Sequence, residues 1–139
     1  MSFLPAYLDT SAIIKLIVSE PETEALRAAL IGWPDRVSAA LARVEVHRAL
    51  WRVGASKAVR SRADAVLEGL VLIRIDDLIL SRAASFKNPH LGAPDAIHLA
   101  AALTVGDDPD VFVTYDIRLA EAATREGLRV QHPGISHLG

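Results

Sequence analysis

The chain has no cysteine, which rules out a disulfide framework and a thiolate zinc site, so any metal it binds must be held by oxygen or imidazole. Aromatic residues are scarce, at 5%, and Trp33 and Trp51 are therefore assigned to core or dimer packing ahead of base stacking. Long apolar runs are missing too. The longest charge-free one, residues 96–106, falls well short of the roughly 20 residues that cross a bilayer, so no membrane role is expected. Asp9 and Lys15 interrupt the first apolar stretch and no basic residue precedes it, so a secretory leader is not expected and cytoplasmic residence is. No repeat, low-complexity tract or linker divides the sequence. At 139 residues it suits a single domain, 1–139, burying about 70% of the surface its unfolded form exposes.

What is present is a globular composition, 51% hydrophobic and 23% charged. A net charge of −2 argues against nonspecific coating of nucleic acid, but it conceals an asymmetry. Residues 43–62 carry six basic side chains, Arg43, Arg48, Arg52, Lys57, Arg60 and Arg62, against one acid, Glu45.

Periodicity and punctuation give an alternating order of strands and helices. Strands are expected at residues 4–8, 36–38 (a weak candidate), 70–75, 111–114 and 128–130. Between them, a helix is expected over 11–18, and Ser19 with Glu22 suggests a capping box for a helix that stops at Gly32. Residues 39–53 form a helix closed by Gly54, and Ser56 caps a second one running to Gly69, so the pair reads as an αα-hairpin. Asp76 caps a helix reaching Phe86, Pro94 opens one that continues through Leu103, and residues 106–110 form a turn. Asp116 opens the last helix, ending near Gly127. Strands that are apolar throughout indicate a parallel sheet covered on both faces. The expected class is α/β, a three-layer sandwich around about five parallel strands.

In such a sheet the ligand site lies beyond the carboxyl ends of the strands, where the helices present their N-termini. Asp9 directly follows the first strand, Asp116 follows the fourth, and Asp95 lies in the first turn of its helix. Glu45 is expected about a turn and a half into the helix that follows the second strand, at the border of its buried face. Four acids from distant segments thus converge on one edge. Each has a plainer role available: Asp9 and Asp116 as helix caps, Asp95 as a dipole complement, Glu45 as a partner of Arg48. Together they form a cluster that needs neutralising, and hard cations such as Mg²⁺ or Mn²⁺ suit an all-oxygen donor set. The chemistry implied is phosphodiester hydrolysis. Thr10, Ser11 and Thr114 are auxiliary candidates that either hydrogen-bond a carboxylate or cap a helix. His98, among small apolar neighbours, reads as a partly buried, hydrogen-bonded residue outside the metal site.

With these residues in place the sequence resembles the PIN-domain family, and within it the VapC-type toxin ribonucleases. The resemblance is carried by YLDTSAIIKL with Asp9, ARVEVHRAL with Glu45, APDAIHLAAAL with Asp95 and FVTYDIRLAEAA with Asp116. It implies a four-acid Mg²⁺/Mn²⁺ site, RNA as substrate, an antitoxin partner whose tail blocks the groove, and commonly a homodimer. Some PIN domains carry a further acid soon after the last one; here Leu119 stands in that region and the next acid is Glu121. Arg43, Arg48, Arg52 and Lys57, beside Glu45, are candidates for tracking an RNA backbone, with a solvated helix face as the alternative. Two other functions compete. A Mg²⁺-dependent phosphotransfer domain would need an acidic pair near the first strand and a late lysine, whereas Asp9 has no acidic neighbour and the only lysines are Lys15, Lys57 and Lys87. A catalytically silent PIN scaffold would not need all four acids.

Overall fold

The computed structural model describes residues 4–105 and 109–138. Among them, five strands form one sheet in the order β3-β2-β1-β4-β5, and every pairing is parallel. The elements run β1 (Ala6–Leu8), α1 (Thr10–Ile17), α2 (Thr23–Leu30), β2 (Arg36–Ala39), α3 (Ala42–Arg52), α4 (Lys57–Glu68), β3 (Val71–Ile73), α5 (Asp77–Ser85), α6 (Ala93–Thr104), β4 (Val111–Val113), α7 (Ile117–Arg125) and β5 (Val130–Gln131). The strand period of two sorts the side chains into two cores. Ala6 and Leu8 of β1, with Val111 and Val113 of β4, pack against α1 to α4. Tyr7 and Phe112, from the same strands, face the other way into the layer of α5, α6 and α7 with Leu99, Leu119 and Ala123. Each large side chain so buried contributes about 1.5–3 kcal/mol. The three-layer parallel architecture is therefore as expected from the apolar strands. No helix among the described residues is long and apolar enough to cross a membrane.

The strand order turns at β1. The chain leaves β1 toward β2 and β3, then returns over the sheet to lay β4 on the opposite side of β1. This reversal opens a crevice at the carboxyl ends of β1 and β4.

Several boundaries differ from expectation. Ala39 belongs to β2, where it pairs with Ile73, so α3 starts three residues later and Glu45 stands in its first turn. The Ser19 capping box does not form. The Glu22 carboxylate is taken by the buried Lys15 ammonium at 3.0 Å, while the Thr23 hydroxyl accepts from the Glu20 N–H at 2.9 Å and donates to the Lys15 carbonyl at 2.8 Å. β5 begins at Val130 because Gly127, at φ 86°, closes α7 in the left-handed region and the Leu128 N–H is spent on the Ala123 carbonyl. β1 and β3 are shorter than expected. The 106–108 part of the expected turn lies outside the described residues, as does the end of the tail at 139.

Candidate active site

Asp9 is the first residue after β1 and the N-cap of α1. Its side chain is 3% exposed and every bond it makes holds it in one orientation. Oδ1 accepts from the Ala12 N–H at 3.0 Å and the Ser11 hydroxyl at 2.7 Å; Oδ2 accepts from the Thr114 hydroxyl at 2.5 Å. The same Thr114 oxygen accepts from the Asp116 N–H at 3.0 Å, and the Ser11 oxygen accepts from the Tyr115 N–H at 2.9 Å. The auxiliary candidates Ser11 and Thr114 thus clamp the end of β1 to the end of β4. Burial pushes the Asp9 carboxyl up from its ordinary value, against the bonds from Thr114, Ser11 and Ala12 that favour the ionised form.

Glu45 faces the same edge from α3. Its Oε1 accepts from the Thr10 hydroxyl at 2.7 Å and lies 2.6 Å from His98 Nε2. Burial works to raise its pKa, but the bonds from His98 and Thr10 outweigh that and hold it below the usual value. The expected alternative, a pair with Arg48, is not formed among the described residues. His98 is 1% exposed and bridges Glu45 to the Tyr7 hydroxyl, 2.8 Å from Nδ1. It is hydrogen-bonded, as anticipated, but more deeply buried and tied directly to a site acid. The signal in the sequence was its spacing: three residues after Asp95 on α6, it shares that acid's helix face.

Asp95 and Asp116 complete the cluster. Asp116 caps α7, accepting from the Leu119 N–H at 2.9 Å, so the capping and cluster roles coexist. Asp95 is in the first turn of α6. Its pKa is pushed up to about 6, first by burial and then by the charges of Asp116, Asp9 and Glu45, with His98 acting in the opposite sense. Acids brought from four separate helix starts therefore repel across a common space. They do not close into a tight cage: among the described residues no three His, Asp or Glu groups stand close enough to hold an ion by themselves. That openness suits a hydrated Mg²⁺, which keeps several waters and takes one or two carboxylates directly. Glu121 stands apart, in a groove of about 590 Å³ with His132 and His137, and Leu119 is fully buried. A larger groove, about 720 Å³, lies elsewhere, between α3 and α4 beside Arg43, His47 and Asp64.

The basic stretch divides in two. Arg60 donates to the Ala55 carbonyl at 2.7 Å and stacks 4.2 Å from the Trp51 ring; Arg62 donates to the Ile17 carbonyl at 2.9 Å. Both are committed to the scaffold. Arg43, Arg48, Arg52 and Lys57 are exposed. Trp51 is not a core residue, being 56% exposed, while Trp33 is partly buried and donates to Asp110 at 2.6 Å.

The repulsion at Asp95 has a consequence for the metal-free protein. Because the folded state binds the Asp95 proton more tightly than the unfolded chain, stability is lowest above about pH 6 and rises as pH falls toward 3.8. Asp95→Asn is expected to remove that dependence and to stabilise the metal-free fold at pH 7 by about 1 kcal/mol after discounting for solvent screening, or ~3 °C in Tm. Thermal melts with chelator at several pH values check this; an unchanged or lower Tm would show that Asp95 is not under repulsion.

Comparison with known proteins places the chain in a family. A family model described as "PIN domain" matches residues 6–125. The chain is 45% identical over 127 residues to Ribonuclease VapC46 of Mycobacterium tuberculosis, covering 91% of this chain and 96% of the relative. It is 36% identical over 132 residues to Ribonuclease VapC47 of that species, covering 92% and 96%. In fold it resembles the crystal structure of VapBC2 from Rickettsia felis bound to a DNA fragment from their promoter, with a TM-score of 0.71 at 15% identity over 94% of this chain and 99% of the other. A toxin-antitoxin complex from Klebsiella pneumoniae matches with a TM-score of 0.63 at 23% identity, over 80% and 86% of the two chains. The chain belongs to the PIN-domain family, in its VapC-type branch.

Proposed function

We propose that this chain is a Mg²⁺- or Mn²⁺-dependent endoribonuclease that hydrolyses RNA phosphodiester bonds and serves as the toxin of a toxin-antitoxin pair. The observation that carries the reading is the convergence of Asp9, Glu45, Asp95 and Asp116 at the switch point, with Asp95 raised by burial and then by the charges of the other three. Relatives named as ribonucleases align along almost their whole length, which supports the activity. A bound divalent cation supplies Lewis acidity toward a phosphodiester and lowers the pKa of its water. The chain's own residues do the rest. Asp9, fixed by Ser11, Thr114 and the α1 N-terminus, and Asp95, otherwise repelled, would hold the cation together with Asp116 and Glu45, and Arg43, Arg48, Arg52 and Lys57 would attract the RNA backbone toward an edge that is otherwise acidic.

An antitoxin partner fits the same chemistry, because a guanidinium satisfies two carboxylate oxygens in a fork and so competes with the cation. A toxin-antitoxin complex among the fold neighbours supports such a partner. A homodimer is supported by the apolar side chains left exposed along β3 and α5, Val71, Leu78 and Leu80. Action in the cytoplasm, where RNA is encountered, belongs to the same reading. A silent RNA-binding scaffold is disfavoured, since it has no use for a buried, repelling cluster.

Asp9→Asn and Asp95→Asn each keep side-chain volume but lose the charge that holds the cation. Each is expected to lower RNA cleavage by more than the ~10–100-fold typical of losing an outer hydrogen-bond partner, with the fold intact by circular dichroism. Expression of the wild-type chain should slow growth and either variant should not. Near-wild-type cleavage by either purified variant would sink the assignment. The substrate path has its own test. Charge reversal at Arg48 or Arg52 should weaken RNA binding and lower the slope of log K against log salt by about one for each lost phosphate contact. An unchanged slope in filter-binding or anisotropy titrations would put the RNA on another surface.

A further inference from the structure

We infer that His98 is a positioning residue for Glu45, donating from Nε2 to Oε1 and so reserving Oε2 as the oxygen that serves the cation. The inference rests on the reading of the four acids as a cation site and adds to it the device that fixes the fourth acid.

Three heavy atoms close a ring on one oxygen. His98 Nε2 lies 2.6 Å from Glu45 Oε1 and 3.2 Å from Thr10 Oγ1, and Thr10 Oγ1 lies 2.7 Å from Oε1. An ionised carboxylate only accepts hydrogen bonds, so the 2.6 Å contact needs a proton on Nε2. Thr10 imposes the same requirement independently. Its hydroxyl proton is spent on Oε1, so toward Nε2 its oxygen acts only as an acceptor. Both bonds fall on Oε1, and among the described residues no donor reaches Oε2.

The far side of the ring is arranged to match. The Tyr7 hydroxyl stands 2.8 Å from Nδ1 and burial keeps it protonated, so with the ring proton on Nε2 it is placed to donate to Nδ1. The Tyr7 ring is held in place by stacking on Phe112, with ring centroids 5.1 Å apart and planes 2° from parallel. His98 meets Tyr7 edge-on at 5.9 Å and is 1% exposed, so no solvent-facing rotamer competes. α6 consequently does two jobs from one face: Asp95 supplies a carboxylate, and His98 one turn later aims another carboxylate from α3.

A purely packing role would tolerate any residue of similar size, whereas a positioning role needs a donor where Nε2 stands. His98→Gln puts an amide N–H close to the Nε2 position; His98→Asn puts it near Nδ1 and leaves Oε1 without that donor. Calorimetric titration of each with Mn²⁺ alone should show His98→Asn weakened about 10–100-fold and His98→Gln close to wild type, with RNA cleavage following the same order. Wild-type affinity in His98→Asn, or equal losses in both variants, overturns the inference. A measurement on the unaltered protein stands beside the variants in case His98→Asn fails to fold. Nitrogen-15 spectra should show a proton on His98 Nε2, and an unprotonated Nε2 overturns the proposal. Failure of wild-type protein to bind Mn²⁺ would bring down the cation site itself, and this inference with it.

Discussion

The pairing of β1 with β4 is the constraint on which the rest of this structure depends. Register sets Leu8 against Val113, so the residues that follow, Asp9 and Thr114, emerge side by side although they lie more than a hundred positions apart in the chain. The hydrogen bond between them, with Ser11 and the Tyr115 N–H as a second strap, ties together the strand ends from which the first turns of α1 and α7 start. Parallel strands that reverse order at their centre make a crevice there by topology alone. This sequence has filled it with acids.

Placing acids there costs stability. Burial and then the charges of Asp116, Asp9 and Glu45 raise the Asp95 carboxyl, and His98 only partly offsets them; the buried Lys15 ammonium gives no relief, being spent on Glu20 and Glu22 over the Tyr115 ring. A scaffold selected for stability alone would place amides or hydroxyls at these positions. Retained repulsion of this kind fits the proposed role, in which a divalent cation or a partner's guanidinium would supply the missing positive charge. The hydrogen bonds around Asp9 and Glu45 keep both carboxylates oriented and favour their ionised forms.

Much of this was legible in the chain. Asp9 follows its apolar strand directly, Asp116 follows another after a short step, and Asp95 follows Pro94 at a helix start, so their edge could be read from the sequence. Other features lacked a local cue. Ala39 suits either helix or strand, and only pairing with Ile73 assigns it to β2 and moves Glu45 into the first turn of α3. Ser19 and Glu22 have the spacing of a capping box, but the buried Lys15 ammonium, seven residues before Glu22, claims the glutamate. The six basic residues look equivalent in sequence, yet Arg60 and Arg62 are consumed by carbonyls of the scaffold. His98 sits fifty-three positions from Glu45, and no periodicity within one helix discloses a partner on another.

The central claim is that these acids form one cation site at the carboxyl ends of β1 and β4. Crystals grown with Mn²⁺ and measured at its absorption edge test it most directly. An anomalous peak is expected among the carboxylates of Asp9, Asp95 and Asp116, lost when chelator is soaked in. A peak at another surface with none at this edge, at saturating Mn²⁺, would contradict it.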